Sequence, residues 1–394
     1  GGGGGGGVRG RGRGRAEVCR RRHEVGGRGA GRLRSGLGVL PVDGGGGTRG
    51  CFRAPAGGAA LAVYIVGMTP ATALAQKTIK LAHLNKNDPF DNGTGAMAVV
   101  FKSLVESGTN GAVKVEIFPD GQLGKDNEVI QQVKSGVVQS SISSVGGIAS
   151  VYPMIGVLDV PFAYSNIAST YEVFDGPFGH KLAADITKKT GLDVLGFGDS
   201  GGFFAFTNSK RPIKSPEDMK GLKIRTMGLD SHKAVVSSMG GQPVAINWAE
   251  VYTSLQTGVA DGQMNPVPII KFAKFDEVQK YLTLTNHLFT PYVWIFNKQT
   301  FDGMTAQEKE VVKAAARSAI VACRGINRII EASDRGLPAL AQKMQVYTPT
   351  KAELAKFRQL AQPAVKAQIA KSYGKEGEAL MAEFLAAVDK AAKD

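Results

Sequence analysis

Cysteine and histidine, the side chains that often carry covalent or metal chemistry, are few and widely separated in this sequence. The histidines after residue 76 have no second ligand type at metal-site spacing; they are His83, His180, His232 and His287. Cys323 lies on an apolar stripe with spacings of three and four, which predicts a core-facing position on a helix. The G-x-S-x-G, phosphate-loop and His-Glu-x-x-His signatures are absent. We therefore expect no catalytic residue, no metal site and no cofactor.

The first 75 residues differ in composition from the rest of the 394-residue chain. They hold 24 of the 52 glycines and 12 of the 48 basic residues, but only 3 of the 34 acidic ones. Such an arginine-glycine segment could bind nucleic-acid phosphates, but it lacks interleaved aromatic residues for base stacking. We interpret residues 1–52 as a low-complexity extension outside the mature protein, and we expect no nucleic-acid partner.

The following segment has the features of an export signal. Arg53 precedes an apolar run at about 59–68, which is shorter than the ~20 residues that a membrane span needs. The small residues Ala73 and Ala75 then form a signal-peptidase site. We expect 53–75 to be a signal peptide and the mature protein to begin at Gln76.

Strand-like and helix-like segments alternate after that point. "KTIKLAHL" and "AVKVEIFP" have the character of strands, whereas "GAMAVVFKSLVES" and "KDNEVIQQVKSG" have that of helices. Thr305 and Glu308 form a capping box, and helical periodicity continues to about Ser333, which predicts a rod of ~40 Å. The pattern predicts an α/β protein with a largely parallel sheet and one long helix able to brace two lobes.

Four stretches resemble one known family. "IFPDGQLG", "MKGLKIRT", "EVYTSLQTGVADGQMNP" and "FDEVQKYLTLTNH" occur in the order and with the spacing of the solute-binding proteins of tripartite ATP-independent periplasmic (TRAP) transporters, the DctP-type family. The resemblance extends from about Ile79 to about Glu383. It implies a two-lobed periplasmic-binding-protein fold of the α/β class, with a ligand cleft between the lobes and a long helix spanning both.

The same resemblance implies the division of the chain and its role. Lobe I would comprise 76–202 and about 291–330, and lobe II would comprise 203–290 and about 331–394. The protein would be periplasmic and would not be an enzyme. It would capture a small organic acid anion and deliver it to TRAP membrane permease subunits driven by an ion gradient, and closure of the lobes on the ligand would accompany capture.

The family's carboxylate-binding arginine matches Arg225. A planar guanidinium can donate two parallel hydrogen bonds to a carboxylate and stays charged at any relevant pH, although an arginine on a surface edge strand would look the same in the sequence. Asn265 matches the family position beside that arginine. We expect "DGQMNP" to be an irregular turn at the cleft that presents this amide to the ligand.

Aromatic residues supply the remaining expectations. Trp248, which ends the strand-like "VAINW", matches a ligand-covering position, although plain core packing is the alternative. In "GGFFAFTN" the second ligand-binding arginine of many relatives is missing. We therefore expect a monocarboxylate with an apolar or aromatic body. The further candidates for contact with it are the walls Phe203, Phe204, Tyr292 and Trp294 and the polar residues Ser144 and Asn87.

Two alternatives stay open. The same fold could serve as a ligand-sensing subunit of a signalling receptor, or the cleft could take a uronate or a dicarboxylate. An acid-processing enzyme would need a nucleophile or base near Arg225, and the sequence offers no candidate for one.

Overall fold

The structure is a computed structural model and describes residues 76–393. The predicted low-complexity extension, 1–52, and the predicted signal peptide, 53–75, lie outside the described residues. Within the described part, no helix combines the length and the apolar character that crossing a membrane would require.

The described residues form ten strands and twelve α-helices. The strands are β1 Lys77–His83, β2 Val113–Phe118, β3 Ser140–Ser143, β4 Leu192–Asn208, β5 Lys223–Thr226, β6 Gln242–Ala245, β7 Gly262–Pro266, β8 Tyr281–Thr283, β9 Phe289–Asn297 and β10 Gln345–Tyr347. The helices are α1 Gly93–Gly108, α2 Asp126–Ser135, α3 Val145–Ile148, α4 Ile167–Asp175, α5 Pro177–Thr190, α6 Asp230–Ser238, α7 Val251–Thr257, α8 Val267–Phe272, α9 Lys298–Asp302, α10 Ala306–Ala332, α11 Leu337–Ala341 and α12 Lys351–Ala391.

All ten strands belong to one mixed sheet. Its order is β2-β1-β3-β9-β4-β7-β5-β6, and β8 pairs with both β4 and β10. Strand β1 is parallel to β2 and β3, and β5 is parallel to β6 and β7, as the alternation of strands and helices predicts. The expectation of a largely parallel sheet is wrong at the centre, because β4 and β9 are antiparallel to each other and to their other neighbours.

The sheet has two halves that meet along β4. Lobe I contains β1, β2, β3 and β9 with the part of β4 up to Asp199. Lobe II contains β5, β6, β7, β8 and β10 with the part of β4 from Phe204 onward. A single strand thus runs through both lobes, and the predicted two-lobed α/β architecture is confirmed.

The long helix α10 follows from local sequence signals. The Thr305 backbone N–H donates to Glu308 Oε2 at 2.7 Å and the Glu308 N–H donates back to Thr305 Oγ1 at 3.2 Å, which completes the predicted capping box. The apolar stripe that includes Val312, Ile320 and Cys323 is buried against α1 and β4. The prediction of a core-facing Cys323 is confirmed.

The "DGQMNP" stretch differs from its prediction. Its residues Gly262–Pro266 form strand β7, which is buried and lies between β4 and β5, so the expected irregular turn is wrong. Polar side chains are tolerated there because they bond to one another: Gln263 Nε2 donates to Thr207 Oγ1 at 2.9 Å. A Cβ on Gly262 would come within 2.1 Å of the Thr207 carbonyl oxygen, so only glycine allows β4 and β7 to approach this closely.

Candidate functional site

A cavity of about 880 Å³ lies between the two lobes. Lobe I contributes residues that follow β1, begin α2 and precede α3, whereas lobe II contributes residues from β5, β7 and the segment before α7. Ser200, Thr290 and Tyr292 line it where β4 and β9 pass between the lobes. The cavity therefore has walls from both lobes and can respond to a change in the angle between them.

Arg225 is the buried cation of the cavity lining. It lies in β5, between β6 and β7, and is 4% exposed, so it is not on an edge strand. Its Nε donates to the Ile246 carbonyl oxygen at 3.0 Å, whereas neither terminal nitrogen has a hydrogen-bond or ion-pair partner among the described residues. Burial lowers the pKa of Arg225 to about 10, which leaves the guanidinium charged at neutral pH. Such a fork with free donors suits a carboxylate.

Asn265 lines the same cavity from β7. Its Nδ2 donates to Gln263 Oε1 at 2.6 Å, and Gln263 is fixed in turn by Thr207. An amide nitrogen carries two hydrogens, so one N–H of Asn265 remains for a ligand. The register places Gln263 beside Arg225 on the neighbouring strand. The structure thus brings both predicted polar contacts of lobe II to one cavity.

Asp126 faces the cavity from lobe I and was not among the predicted site residues. It is the first residue of α2, and its Oδ2 accepts a hydrogen bond of 2.6 Å from Ser144 Oγ. No other side chain of the described residues donates to this carboxylate, which also receives a hydrogen bond from the Ser144 backbone. Burial raises the pKa of Asp126 to about 6, while the Ser144 hydrogen bond and the Arg225 charge oppose that shift.

Ser144 itself lines the cavity, as predicted, and it is also the N-cap of α3. Its Oγ accepts from the Gly147 backbone N–H at 3.2 Å while donating to Asp126. The hydroxyl is therefore occupied in both directions, and its main effect is to hold the Asp126 carboxylate in place.

The aromatic side of the cavity is formed by Trp248, Phe204 and Tyr292. Trp248 lies in a 3₁₀ helix, Trp248–Glu250, and not at the end of a strand, and its ring meets Phe275 edge-on at 5.9 Å. The Tyr292 hydroxyl accepts a hydrogen bond of 3.0 Å from Asn85 Nδ2, and burial raises its pKa. These rings offer apolar faces beside the polar pair of lobe II.

Within the described residues, no group of three or more His, Cys, Asp or Glu side chains could hold a metal ion. His83 does not line the cavity: it is 2% exposed in β1, and burial lowers its pKa to about 4. Among the described residues of the lining, the buried charged group is thus Arg225, and the half-buried Asp126 faces the cavity from lobe I.

The chain matches the family model described as "Bacterial extracellular solute-binding protein, family 7", named DctP, over residues 85–372. The match covers well over half of the chain. The chain belongs to this family.

Relatives and solved structures agree with this assignment. A "Solute-binding protein" of Verminephrobacter eiseniae is 35% identical over 305 residues, which is 77% of this chain and 88% of that protein. The C4-dicarboxylate-binding periplasmic protein DctP of Rhodobacter capsulatus is 32% identical over 64% of this chain and 74% of its own length. The crystal structure of a TRAP periplasmic solute-binding protein from a Polaromonas species, bound to D-erythronate, is similar with a TM-score of 0.72 and 33% identity, covering 79% of this chain and 98% of that one.

Three predicted contacts of this DctP-family protein lie outside the cavity lining. Trp294 is fully buried, its Nε1 donates to Ser140 Oγ at 2.9 Å and its ring meets Phe101 at 4.8 Å. Its strand carries it ~7 Å beyond Tyr292, away from the cavity and into the core under α1. The prediction that Trp294 is a wall of the ligand cavity is therefore wrong.

Phe203 and Asn87 are the other two corrections. Phe203 adjoins Phe204 in β4, so the two side chains point to opposite faces, and Phe203 packs edge-on against Phe289 at 6.3 Å in the core. Asn87 is exposed in the turn after β1, whereas Asn85, two residues earlier, lines the cavity.

Asp126 was missed for a physical reason. An acidic residue at a helix start is common because it interacts favourably with the helix dipole and the free N–H groups. No sequence signal separates Asp126 from an ordinary helix-starting residue. Its role in the cavity depends on how α2, α3 and β5 come together, which a local pattern does not encode.

Proposed function

We propose that this protein is an extracytoplasmic solute-binding protein that captures a small monocarboxylate carrying both an apolar face and a hydroxyl group. The observation that carries the proposal is the buried, cavity-lining Arg225, whose two terminal nitrogens have no hydrogen-bond or ion-pair partner among residues 76–393. Burying a cation with unused hydrogen-bond donors costs free energy unless an anion pairs with it. A carboxylate supplies both the charge and two acceptor oxygens in the matching plane.

The number of cationic groups supports one carboxylate per ligand. The lysines of the lining, Lys86, Lys125 and Lys274, are exposed, and Lys125 is paired with Glu250. A second carboxylate on the ligand would find no buried cation among the described residues of the lining, and it would be repelled by Asp126. Dicarboxylates are therefore disfavoured.

Asp126 supports a hydroxyl on the ligand. Ser144 is the one side-chain donor to this carboxylate among the described residues, so an oxygen of Asp126 can still accept a hydrogen bond from within the cavity. A ligand hydroxyl is neutral and can donate to that oxygen, so it is compatible with a carboxylate on the same ligand. Trp248 and Phe204 would cover the carbon skeleton and exclude water from the charged contacts.

The family supports the cellular role. Members of the DctP family are periplasmic solute-binding proteins of transport systems. Transport of the bound solute across the membrane requires a separate membrane protein. We infer that the protein is exported with 53–75 as a cleavable signal, that it performs no catalysis, and that it delivers its ligand to permease subunits driven by an ion gradient. The closed cleft would be the form that the permease accepts.

A thermal-shift and calorimetric comparison of matched ligands tests this proposal. The panel contains hydroxy monocarboxylates such as D-erythronate, the deoxy acid butyrate, the dicarboxylate succinate, and erythritol, which has hydroxyls but no carboxylate. We expect a hydroxy monocarboxylate at 100 times its Kd to raise Tm by about 5 °C. Butyrate and succinate should bind more weakly, and erythritol should give no shift.

The outcomes separate the parts of the proposal. Tighter binding of succinate than of every hydroxy monocarboxylate would contradict the monocarboxylate assignment while leaving the anion site intact. Equal binding of butyrate would remove the role given to Asp126. Binding of erythritol without any acid would overturn the anion site itself.

A further inference from the structure

Strand β4 is interrupted where it passes from lobe I to lobe II. Its pairing with β9 shifts register once between Val194 and Gly196, continues to Asp199, which lies opposite Pro291, and resumes at Phe203, which lies opposite Phe289. Three residues, 200–202, therefore face a single residue of β9. Two of them are glycines with positive φ, +121° at Gly201 and +100° at Gly202, where a side chain would be strained.

The carboxylate of Asp199 holds this bulge together, and it is completely buried. Its Oδ1 accepts hydrogen bonds from the backbone N–H groups of Gly201 at 2.8 Å and Gly202 at 2.7 Å. Its Oδ2 accepts from the Tyr171 hydroxyl at 2.7 Å and lies 3.2 Å from Arg328 Nη2. Both oxygens are thus engaged, and one of the partners carries a full positive charge.

Side chains of the long helix α10 bind the main-chain carbonyl group of Asp199. The Asp199 carbonyl oxygen accepts from Asn327 Nδ2 at 2.7 Å and from Cys323 Sγ at 3.2 Å. Arg328 also lies directly over Gly202, where an added Cβ would come within 2.7 Å of Nη2. The lobe I end of the bulge is therefore fixed to α10 by three side chains, Cys323 and, one turn later, the adjacent Asn327 and Arg328.

The other end of the bulge belongs to lobe II and to the cavity. A Cβ on Gly201 would meet Pro266 of β7 at 3.1 Å and Ile269 of α8 at 3.2 Å. Ser200 lines the cavity, and its Oγ donates to the Thr290 carbonyl oxygen at 2.6 Å. The bulge thus joins a clamped segment of lobe I to the ligand cavity and to the first elements of lobe II.

We propose that residues 199–202 are the hinge on which the lobes close and that Arg328 is a positioning residue, which through Asp199 sets how often the mouth of the cavity is closed. Hinges absorb backbone rotation at a few residues, and the two glycines supply that freedom. The Asp199 carboxylate restricts this backbone rotation because it accepts hydrogen bonds from both glycine N–H groups. Removing the charge of Arg328 weakens the contacts that fix the Asp199 carboxylate, and it changes no residue that lines the cavity.

Cross-linking across the mouth tests the proposal without any ligand. Lys125 of lobe I and Glu250 of lobe II form an ion pair of 2.9 Å at the rim, so cysteines at these two positions come together when the mouth is closed. The full chain carrying Lys125→Cys and Glu250→Cys is treated with a short bismaleimide. The rate of this cross-link is followed by mass spectrometry of the two peptides, which separates it from any reaction at the native cysteines.

Four further backgrounds make the comparison specific. Arg328→Met removes the positive charge that pairs with Asp199 Oδ2, and Arg328→Lys restores a positive charge there. Tyr171→Phe removes only the hydroxyl that donates to Oδ2. Arg317→Met is the matched control, because Arg317 is an exposed arginine of the same helix α10 and has no hydrogen bond or ion pair among the described residues.

We expect Arg328→Met to lower the cross-linking rate about five-fold, the factor that ~1 kcal/mol makes in an equilibrium. Tyr171→Phe should lower it less, Arg328→Lys should return it to within about two-fold of the parent, and Arg317→Met should leave it unchanged. An unchanged rate in both Arg328→Met and Tyr171→Phe would overturn the hinge assignment, even if both variants melt earlier. An equal fall in Arg317→Met would also overturn it.

The inference rests on the proposed function only in that the lobes close on a ligand. A failure of the ligand panel leaves the cross-linking result unaffected, and a failure of the cross-linking result leaves the anion site unaffected. The two experiments therefore distinguish an error in the binding site from an error in the hinge.

Discussion

Asp126 and Arg225 lie in opposite walls of one cavity, and each influences the ionisation of the other. The Arg225 charge opposes the burial that raises the pKa of Asp126, and the Asp126 charge opposes the burial that lowers the pKa of Arg225. No direct ion pair joins the two side chains among the described contacts. A carboxylate ligand on Arg225 would therefore lie in the field of a second, protein carboxylate.

The first prediction concerns pH and stability. The pKa of Asp126 is about 6 in the folded protein, above its ordinary value of 3.8, so the folded state holds this proton more tightly than the unfolded chain does. The contribution of Asp126 to stability is therefore greatest below pH 3.8 and is lost as pH rises towards 6. Asp126→Asn should lack this loss, so its Tm relative to wild type should increase between pH 4 and 6.5.

Calorimetric melting curves at half-unit pH steps measure this difference. Asp120→Asn is a suitable control, because Asp120 lines the same cavity from an exposed position. A constant Tm difference between Asp126→Asn and wild type across the range would show that Asp126 titrates normally.

The second prediction concerns the anion contact. Arg225→Met should lower the affinity for the best hydroxy acid of the panel about 100-fold or more, because charge-assisted hydrogen bonds contribute ~1.5–3 kcal/mol each. Its Tm should not fall by much, since an incompletely paired buried cation is removed. Arg225→Lys should bind with intermediate affinity, because an ammonium keeps the charge but loses the planar fork.

Arg211→Met is the control for Arg225, and isothermal calorimetry is the measurement. Arg211 is also in lobe II, but its guanidinium donates to the carbonyl oxygens of Asp218 and Lys220 outside the cavity. Retention of wild-type affinity in Arg225→Met would eliminate Arg225 as the carboxylate contact.

The elements that the sequence predicts well are those with local causes. The capping box of Thr305 and Glu308 and the apolar stripe through Cys323 are complete within one helix, so α10 could be placed to within a residue or two. The first four elements, from β1 to α2, are predicted correctly for the same reason. Arg225, Asn265 and Trp248 were placed by their family resemblance, and the structure brings them to one cavity.

The elements that the sequence predicts poorly depend on distant neighbours. "DGQMNP" has the composition of a turn, and it becomes a buried strand only because Thr207 on β4 accepts the Gln263 amide and Gly262 permits close pairing. Trp294 and Tyr292 share one face of β9, but only α1 decides that Trp294 is covered. Local composition contains neither fact.

The third prediction uses the two tryptophans of the chain. Trp248 lines the cavity, whereas Trp294 is fully buried in the core of lobe I. A ligand should therefore change the fluorescence of Trp248 alone. Trp248→Phe should abolish the ligand-induced change in intrinsic fluorescence, and Trp294→Phe should keep it while lowering Tm through lost packing and the lost hydrogen bond to Ser140 Oγ.

Titration of each variant with the best acid of the panel measures this effect. A fluorescence change that persists in Trp248→Phe and disappears in Trp294→Phe would mean that ligand binding alters the core and not the cavity wall. Calorimetry on the same samples confirms that both variants still bind.

The fourth prediction concerns ligand release. The Lys125 Nζ donates to Glu250 Oε1 at 2.9 Å, and the pair joins the two lobes at the mouth of the cavity. Opening of the mouth breaks this contact, so Glu250→Gln should raise the dissociation rate of the bound acid. Both side chains are about half exposed, at 46% and 53%, so the increase should be small, about two- to five-fold.

Salt and charge reversal separate this effect from a change in shape. The wild-type dissociation rate should rise with ionic strength, because a Debye length of about 8 Å at 0.15 M screens an exposed pair, and the rate of Glu250→Gln should respond less. Lys125→Glu with Glu250→Lys should restore slow release. The matched control is Lys181→Met, which removes a similarly exposed pair with Glu383 that does not line the cavity. Stopped-flow displacement measures all four rates, and equal salt dependence in wild type and Glu250→Gln would show that this ion pair does not hold the mouth closed.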